Sequence, residues 1–139
     1  MTEAHASQKN TKGRILLIED DYANRKLIAD YLEHCHYTVL GLKDGLQLFQ
    51  NLEIFRPELI LLDIKLPEID GYTLIQQIGQ HQDWRHLPIV VVSGYAFQAD
   101  QRRALALGAR RYLVKPVKID ELQQVVEEEL RRTREQGTA

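Results

Sequence analysis

Leu59-Ile60-Leu61-Leu62 is a run of four large apolar residues that stops at the carboxylate of Asp63, and a Leu66-Pro67-x-x-Asp70-Gly71 turn follows. A half-exposed strand would alternate apolar with polar residues. This run has no polar side, so it reads as a strand covered on both faces, as in a parallel sheet held between helices. The acid then falls at the carboxyl end of a parallel strand, the edge at which open α/β sheets hold their ligands. Asp63 is therefore the first candidate for a reactive centre.

The same grammar recurs along the chain. Arg14-Ile15-Leu16-Leu17-Ile18 stops at Glu19-Asp20-Asp21, Ile89-Val90-Val91-Val92 at Ser93-Gly94, and Arg111-Tyr112-Leu113-Val114 at Lys115-Pro116. Tyr37-Thr38-Val39-Leu40-Gly41 is more mixed and β-branched, which predicts a strand nearer the sheet edge. Between these runs the spacing is helical. One inner face carries Leu27, Ile28, Tyr31, Leu32 and Cys35, and the next carries Leu46, Phe49, Leu52 and Phe55. A third carries Tyr72, Ile75 and Ile78; a fourth helix, near Ala99 to Leu107, closes at Gly108; a fifth carries Ile119, Leu122, Val126 and Leu130. Five strands alternating with five helices specify an α/β domain with right-handed crossovers and helices on both faces of the sheet. The domain is predicted over residues 13–132, with 1–12 a flexible polar leader and 133–139 a polar C-terminal tail.

With 139 residues, 44% of them hydrophobic, the chain suits one domain with one sizeable core. A net charge of −2 gives no electrostatic grip on nucleic acid or on an anionic membrane, and neither is expected as a partner. No apolar run approaches the roughly eighteen residues of a membrane span, and the first dozen residues lack a signal peptide's apolar stretch, so a cytoplasmic location is expected. Cys35 is the single cysteine, which excludes an internal disulfide and an all-cysteine metal cage. His5, His34, His36, His81 and His86 show no helical pairing with a second ligand type, and no zinc site is expected. Trp84 and Arg85 read as an exposed loop, and Glu127 to Glu129 with Arg131, Arg132 and Arg134 as a solvated helix face.

In a parallel sheet the strand ends become neighbours, so Glu19, Asp20, Asp63, Ser93 and Lys115 should converge. Two like charges about 4 Å apart repel by about 4 kcal/mol at an effective dielectric of 20, so three carboxylates need cations beside them. Lys115 offers one charge. A hard divalent ion, most simply Mg2+ with Mn2+ as the substitute, would supply the rest. A carboxylate so placed can attack phosphorus and form an aspartyl phosphate. Asp63 would be the nucleophile, Glu19 and Asp20 would hold the ion, and Lys115 with Ser93 would grip the transferred oxygens.

At this point the chain resembles the receiver domain of bacterial two-component response regulators, single-domain chemotaxis receivers included, over roughly Gly13 to Arg132. The resemblance rests on Ile15-Leu16-Leu17-Ile18-Glu19-Asp20-Asp21, on Asp63 with Leu66-Pro67 and Asp70-Gly71, on Ser93, on Tyr112 and on Lys115-Pro116. It implies a (βα)5 doubly wound fold with flavodoxin-like strand order 2-1-3-4-5 and a cis bond before Pro116. It implies Asp63 as phospho-acceptor, an ion held by Glu19, Asp20, Asp63 and the backbone carbonyl of Lys65, and Ser93 and Tyr112 as the switch pair. Lys65 and Tyr95 occupy positions where the family tunes the lifetime of the phosphorylated state. The implied partners are a histidine kinase or histidine phosphotransfer protein and a downstream protein target, met on the surface of strand five and the two helices flanking it, with a phosphorylation-dependent homodimer as a further form. Self-phosphorylation from small phosphodonors with Mg2+ and weak autophosphatase activity are also implied. No output domain is expected, so action should be by association or by passing the phosphate on. Two alternatives are weighed beside this one. A haloacid-dehalogenase-type phosphatase needs a second Asp where Lys65 stands, and a degenerate receiver that binds partners without phosphate is disfavoured by the intact residue set.

Overall fold

The computed structural model describes residues 10–138, so residues 1–9 of the predicted leader and Ala139 of the predicted tail lie outside the described residues. The chain runs β1 (Arg14–Ile18), α1 (Tyr22–His34), β2 (Thr38–Leu42), α2 (Leu48–Phe55), β3 (Leu59–Leu62), α3 (Gly71–Gln80), β4 (Ile89–Ser93), α4 (Gln98–Leu107), β5 (Arg111–Val114) and α5 (Ile119–Thr138). All neighbouring strands are parallel, and the sheet order is β2-β1-β3-β4-β5. The mixed strand β2 lies at the edge, where a polar side is tolerated. The wholly apolar β3 lies at the centre, between β1 and β4.

Each strand feeds two cores because successive side chains point to opposite faces. Leu16, Ile18, Ile60, Leu62 and Val91 pack with Leu48, Leu52, Tyr72, Ile75 and Ile78 on the face carrying α2, α3 and α4. Ile15, Leu17, Leu59, Leu61, Val90 and Val92 pack with Leu32, Leu122, Val126 and Leu130 on the face carrying α1 and α5. Each fully buried Leu or Ile is worth about 1.5–3 kcal/mol, which fixes the sheet and hence the positions of the strand ends.

Local signals place the elements nearest those ends. The Asp21 carboxylate accepts from Asn24 N at 2.9 Å and starts α1, and the Asp70 carboxylate accepts from Thr73 N at 2.9 Å and starts α3. Gly71 opens α3 hard against the end of β3. A Cβ there would sit 2.6 Å from Ile64 Cα and 2.7 Å from Asp63 O, so only glycine lets the helix begin so close to the acid.

Several expectations need correction. Trp84 is not exposed but 5% accessible within the α2–α3–α4 core, with the Arg56 guanidinium 5.3 Å from its ring centroid. Glu129 is not on a solvated face: it is fully buried and takes ion pairs from Arg110, Arg111 and Arg132 at 3.4, 3.5 and 3.2 Å. Leu27 and Leu46, read as core-facing, are both 58% exposed; α2 starts only at Leu48, and Leu48 and Leu52 are its buried pair. The stretch predicted as a tail from residue 133 continues α5 through Thr138. Arg134 there donates to Lys12 O at 2.7 Å and to Glu58 Oε2 at 3.1 Å, so helix end and leader end are tied together. Among the described residues, no helix is long and apolar enough to cross a membrane.

Candidate functional site

The strand ends meet as the topology requires. Asp63 follows β3 and is 7% exposed, Glu19 follows β1 and is 2% exposed, and Asp20 beside it is open to solvent. Carboxylate oxygens of the three lie within 4.8 Å of one another. Lys115, just beyond β5, bridges two of them, its ammonium donating to Glu19 Oε1 at 2.5 Å and to Asp63 Oδ2 at 2.9 Å. The other Asp63 oxygen accepts from Lys65 N at 3.1 Å, and Glu19 Oε2 accepts from Asp21 N at 3.1 Å. Each buried carboxylate therefore has both oxygens engaged.

The electrostatics follow from this packing. Burial pushes the Glu19 carboxyl above its ordinary range, and the hydrogen bond from Lys115 only partly opposes that. Burial alone would lower the Lys115 ammonium, but its bonds to Glu19 and Asp63 outweigh the desolvation and hold it above its ordinary value. One ammonium faces three carboxylates, so the cluster keeps a net negative charge. Its donors are all hard oxygens, and they fit a hard divalent cation.

Ser93 is fully buried at the tip of β4, and its hydroxyl accepts from Tyr95 N at 3.2 Å. Lys115 N donates to Ser93 O at 2.9 Å, which ties the tips of β4 and β5 together. Tyr112 on β5 is half-buried, and its hydroxyl donates to Tyr95 O at 2.8 Å. Tyr95 is 38% exposed and the Lys65 side chain faces solvent. The Lys115-Pro116 bond is cis. All eight residues singled out in the sequence thus lie at the carboxyl edge of the sheet or one contact away from it.

The structure adds residues that strand-end reasoning did not reach. Arg25, one turn into α1, donates to Glu19 O at 2.7 Å and to Asp20 O at 3.3 Å. Tyr72 of α3 donates to Asp100 of α4 at 3.1 Å, and Arg103 sits 3.9 Å from its ring centroid. A basic residue one turn into a helix and a Tyr beside the helix-opening Gly71 were the available signals, but both types are common there without a role.

Comparison with known proteins agrees with this geometry. The response regulator receiver domain family matches residues 15–127. The polar-differentiation response regulator DivK of Brucella anthropi is 30% identical over 105 residues, which cover 76% of this chain and 85% of that protein. The receiver domain of the sensor histidine kinase PA1611 from Pseudomonas aeruginosa, solved with a magnesium ion coordinated in its active-site cleft, superposes with TM-score 0.78 at 34% identity, covering 85% of this chain and 97% of that one. A CheY-like response regulator receiver domain protein from Methanospirillum hungatei gives TM-score 0.81 at 28% identity, covering 88% and 97%. A family match over most of the length, on this strand order, is decisive: the chain belongs to the response regulator receiver domains of two-component signalling.

Proposed function

We propose that this chain is a phosphorylation-gated signalling receiver in which Asp63 takes a phosphoryl group from a phosphohistidine of a kinase or phosphotransfer protein. The observation that carries the reading is the surrounding of Asp63. It is a nearly buried carboxylate bonded to Lys115 and to the Lys65 amide, with the acids of Glu19 and Asp20 in the same 4.8 Å cluster.

An Asp63 oxygen attacks phosphorus as the phosphorus–nitrogen bond to the donor's imidazole breaks, and the imidazole leaves with the bonding pair. Glu19, Asp20, Asp63 and the Lys65 carbonyl would hold Mg2+, which when bound neutralises charge on the transferring oxygens. Lys115 stays with the acid it already touches and pairs with a phosphoryl oxygen. The new group adds about −1.5 to −2 charge beside the buried Ser93 hydroxyl, which turns from the Tyr95 amide to bond it. The Tyr112 ring then moves into the space this opens, giving up its bond to Tyr95 O and changing the surface of α4, β5 and α5 for a downstream protein or a second copy. Lys65, whose amide bonds the acid, and Tyr95, whose amide bonds the Ser93 hydroxyl, set how readily water reaches the acyl phosphate.

Incubation of the folded chain with Mg2+ and acetyl phosphate, followed by intact mass, tests the reading. The expected result is a gain of one phosphoryl group that disappears in Asp63→Ala. No gain on folded protein would overturn the reading and favour a receiver that binds partners without phosphate, and a gain that survives Asp63→Ala would remove Asp63 as acceptor.

A further inference from the structure

The loop between β1 and α1 carries two of the three acids of the cluster, and its backbone is held from outside the cluster. Arg25 reaches back from α1, and one guanidinium nitrogen, Nη1, donates to both the Glu19 and the Asp20 carbonyl, at 2.7 and 3.3 Å. The same guanidinium lies 5.5 Å from the Tyr22 ring centroid. Its stem runs over Gly41 on the edge strand β2, where an added Cβ would sit 3.2 Å from both Arg25 Cγ and Cδ. Glu19 N donates to Leu42 O at 3.0 Å, so the loop is fixed to β2 on its amide side and to Arg25 on its carbonyl side.

We propose that Arg25 is a positioning residue for the divalent cation: it fixes the peptide planes of Glu19 and Asp20, and with them the directions in which the two carboxylates point at Asp63. The inference rests on the cation reading given above. Its chemistry is that of a ligand's support. Charged donors to a carbonyl are stronger than neutral ones, and here one group restrains two successive peptides. Side chains that hold ligands in place without touching the metal typically govern affinity by 10–100-fold. Gly41 belongs to the same device, because a Cβ there would press on the arginine stem.

Two effects of the guanidinium oppose each other, so the sign of the experiment is informative. As a positive charge near a cation site, Arg25 repels the ion, and its removal should tighten binding. As a support for the ligands, its removal should weaken binding. Calorimetric titration of the full chain with MgCl2 separates the two. Arg25→Met keeps the stem and removes the guanidinium, and the expected result is a Kd for Mg2+ about tenfold higher than wild type. Arg25→Lys, which keeps a donor able to reach one carbonyl, should fall between them, and Gly41→Ala should weaken binding in the same direction. An unchanged or lower Kd in folded Arg25→Met overturns the proposal. Should that variant not fold, unchanged Kd values in both Arg25→Lys and Gly41→Ala overturn it as well. A wild-type chain with no Mg2+ binding defeats the cation reading and this inference together, whereas wild-type binding with unaffected variants defeats only the inference.

Discussion

Lys115→Met is the sharpest perturbation of the strand-end cluster. The variant keeps the length of the stem and removes a charge that bonds Glu19 Oε1 at 2.5 Å and Asp63 Oδ2 at 2.9 Å. Two carboxylate charges no more than 4.8 Å apart repel by at least about 3.5 kcal/mol at an effective dielectric of 20. Breaking a buried ion pair by removing one partner costs about 3–5 kcal/mol. The lower figure applies here, because the Lys115 side chain is 22% exposed and Glu19 can take up a proton. About 3 kcal/mol corresponds to a fall of about 10 °C in Tm for a chain of this length. The pH dependence has a definite sign. Without Lys115 the Glu19 carboxyl, already raised by burial, rises further above the unfolded value of about 4.3. Between that value and the raised one, the folded variant binds more protons than the unfolded chain, so its stability recovers as pH falls through this window. Mg2+ should have the same restoring effect, since it brings positive charge to the same oxygens. Mg2+ at about 100 times the wild-type Kd adds about 2.7 kcal/mol in wild type, and more at the same concentration in the variant, where no ammonium competes for the ligand oxygens. Thermal melts at pH 7.5 and pH 5, each with and without Mg2+, check all three statements. A metal-free Lys115→Met melting with wild type at pH 7.5, or a deficit that Mg2+ does not narrow, would refute the reasoning.

Two further outcomes test the packing around the site. Trp84→Ala should lose about 3–5 kcal/mol in urea denaturation, whereas Trp84→Phe should lose less than about 1.5 kcal/mol, because the buried indole N–H has no hydrogen-bond partner among the described residues. Equal losses would mean that the indole edge is engaged. Tyr72 is pushed up to about 12, first by burial and then by its hydrogen bond to Asp100, while an unfolded Tyr titrates near about 10. The folded chain therefore retains a proton that the unfolded chain loses, and stability falls as pH rises from about 10 to about 12. Tyr72→Phe should flatten that fall in urea midpoints, and an unchanged slope would show that other groups carry it.

Much of the architecture is written in short stretches. The all-apolar Leu59–Leu62 and Ile89–Val92 runs demand cover on both faces, and the mixed run after Tyr37 does not, which already separates centre from edge in the observed order. Asp21 and Asp70 each accept from the amide three residues on, and Gly71 meets Asp63 and Ile64 across one short turn, so these caps and this close approach are short-range properties. The meeting of Glu19, Asp20, Asp63 and Lys115 was also legible, because parallel strands put all their carboxyl ends on one edge whatever the intervening helices contain.

The sequence by itself determined the alternation of strands and helices, the both-sided burial of the sheet and the chemistry collected along one edge, since periodicity and strand termini are encoded by neighbours in the chain. Only the tertiary structure decided the fates of residues whose surroundings come from distant elements. Trp84 sits in a loop yet is swept into the α2–α3–α4 core, and Glu129 is buried because Arg110, just before β5, and Arg111, its first residue, come against α5. Leu27 and Leu46 satisfy a helical apolar pattern and still face solvent. The Arg25 grip on the Glu19 and Asp20 carbonyls, with Gly41 leaving room for its stem, joins three elements and has no local signature. The physical reason is common to all of these: a side chain's burial and partners depend on which surfaces the fold brings together, and no window of neighbouring residues contains that information.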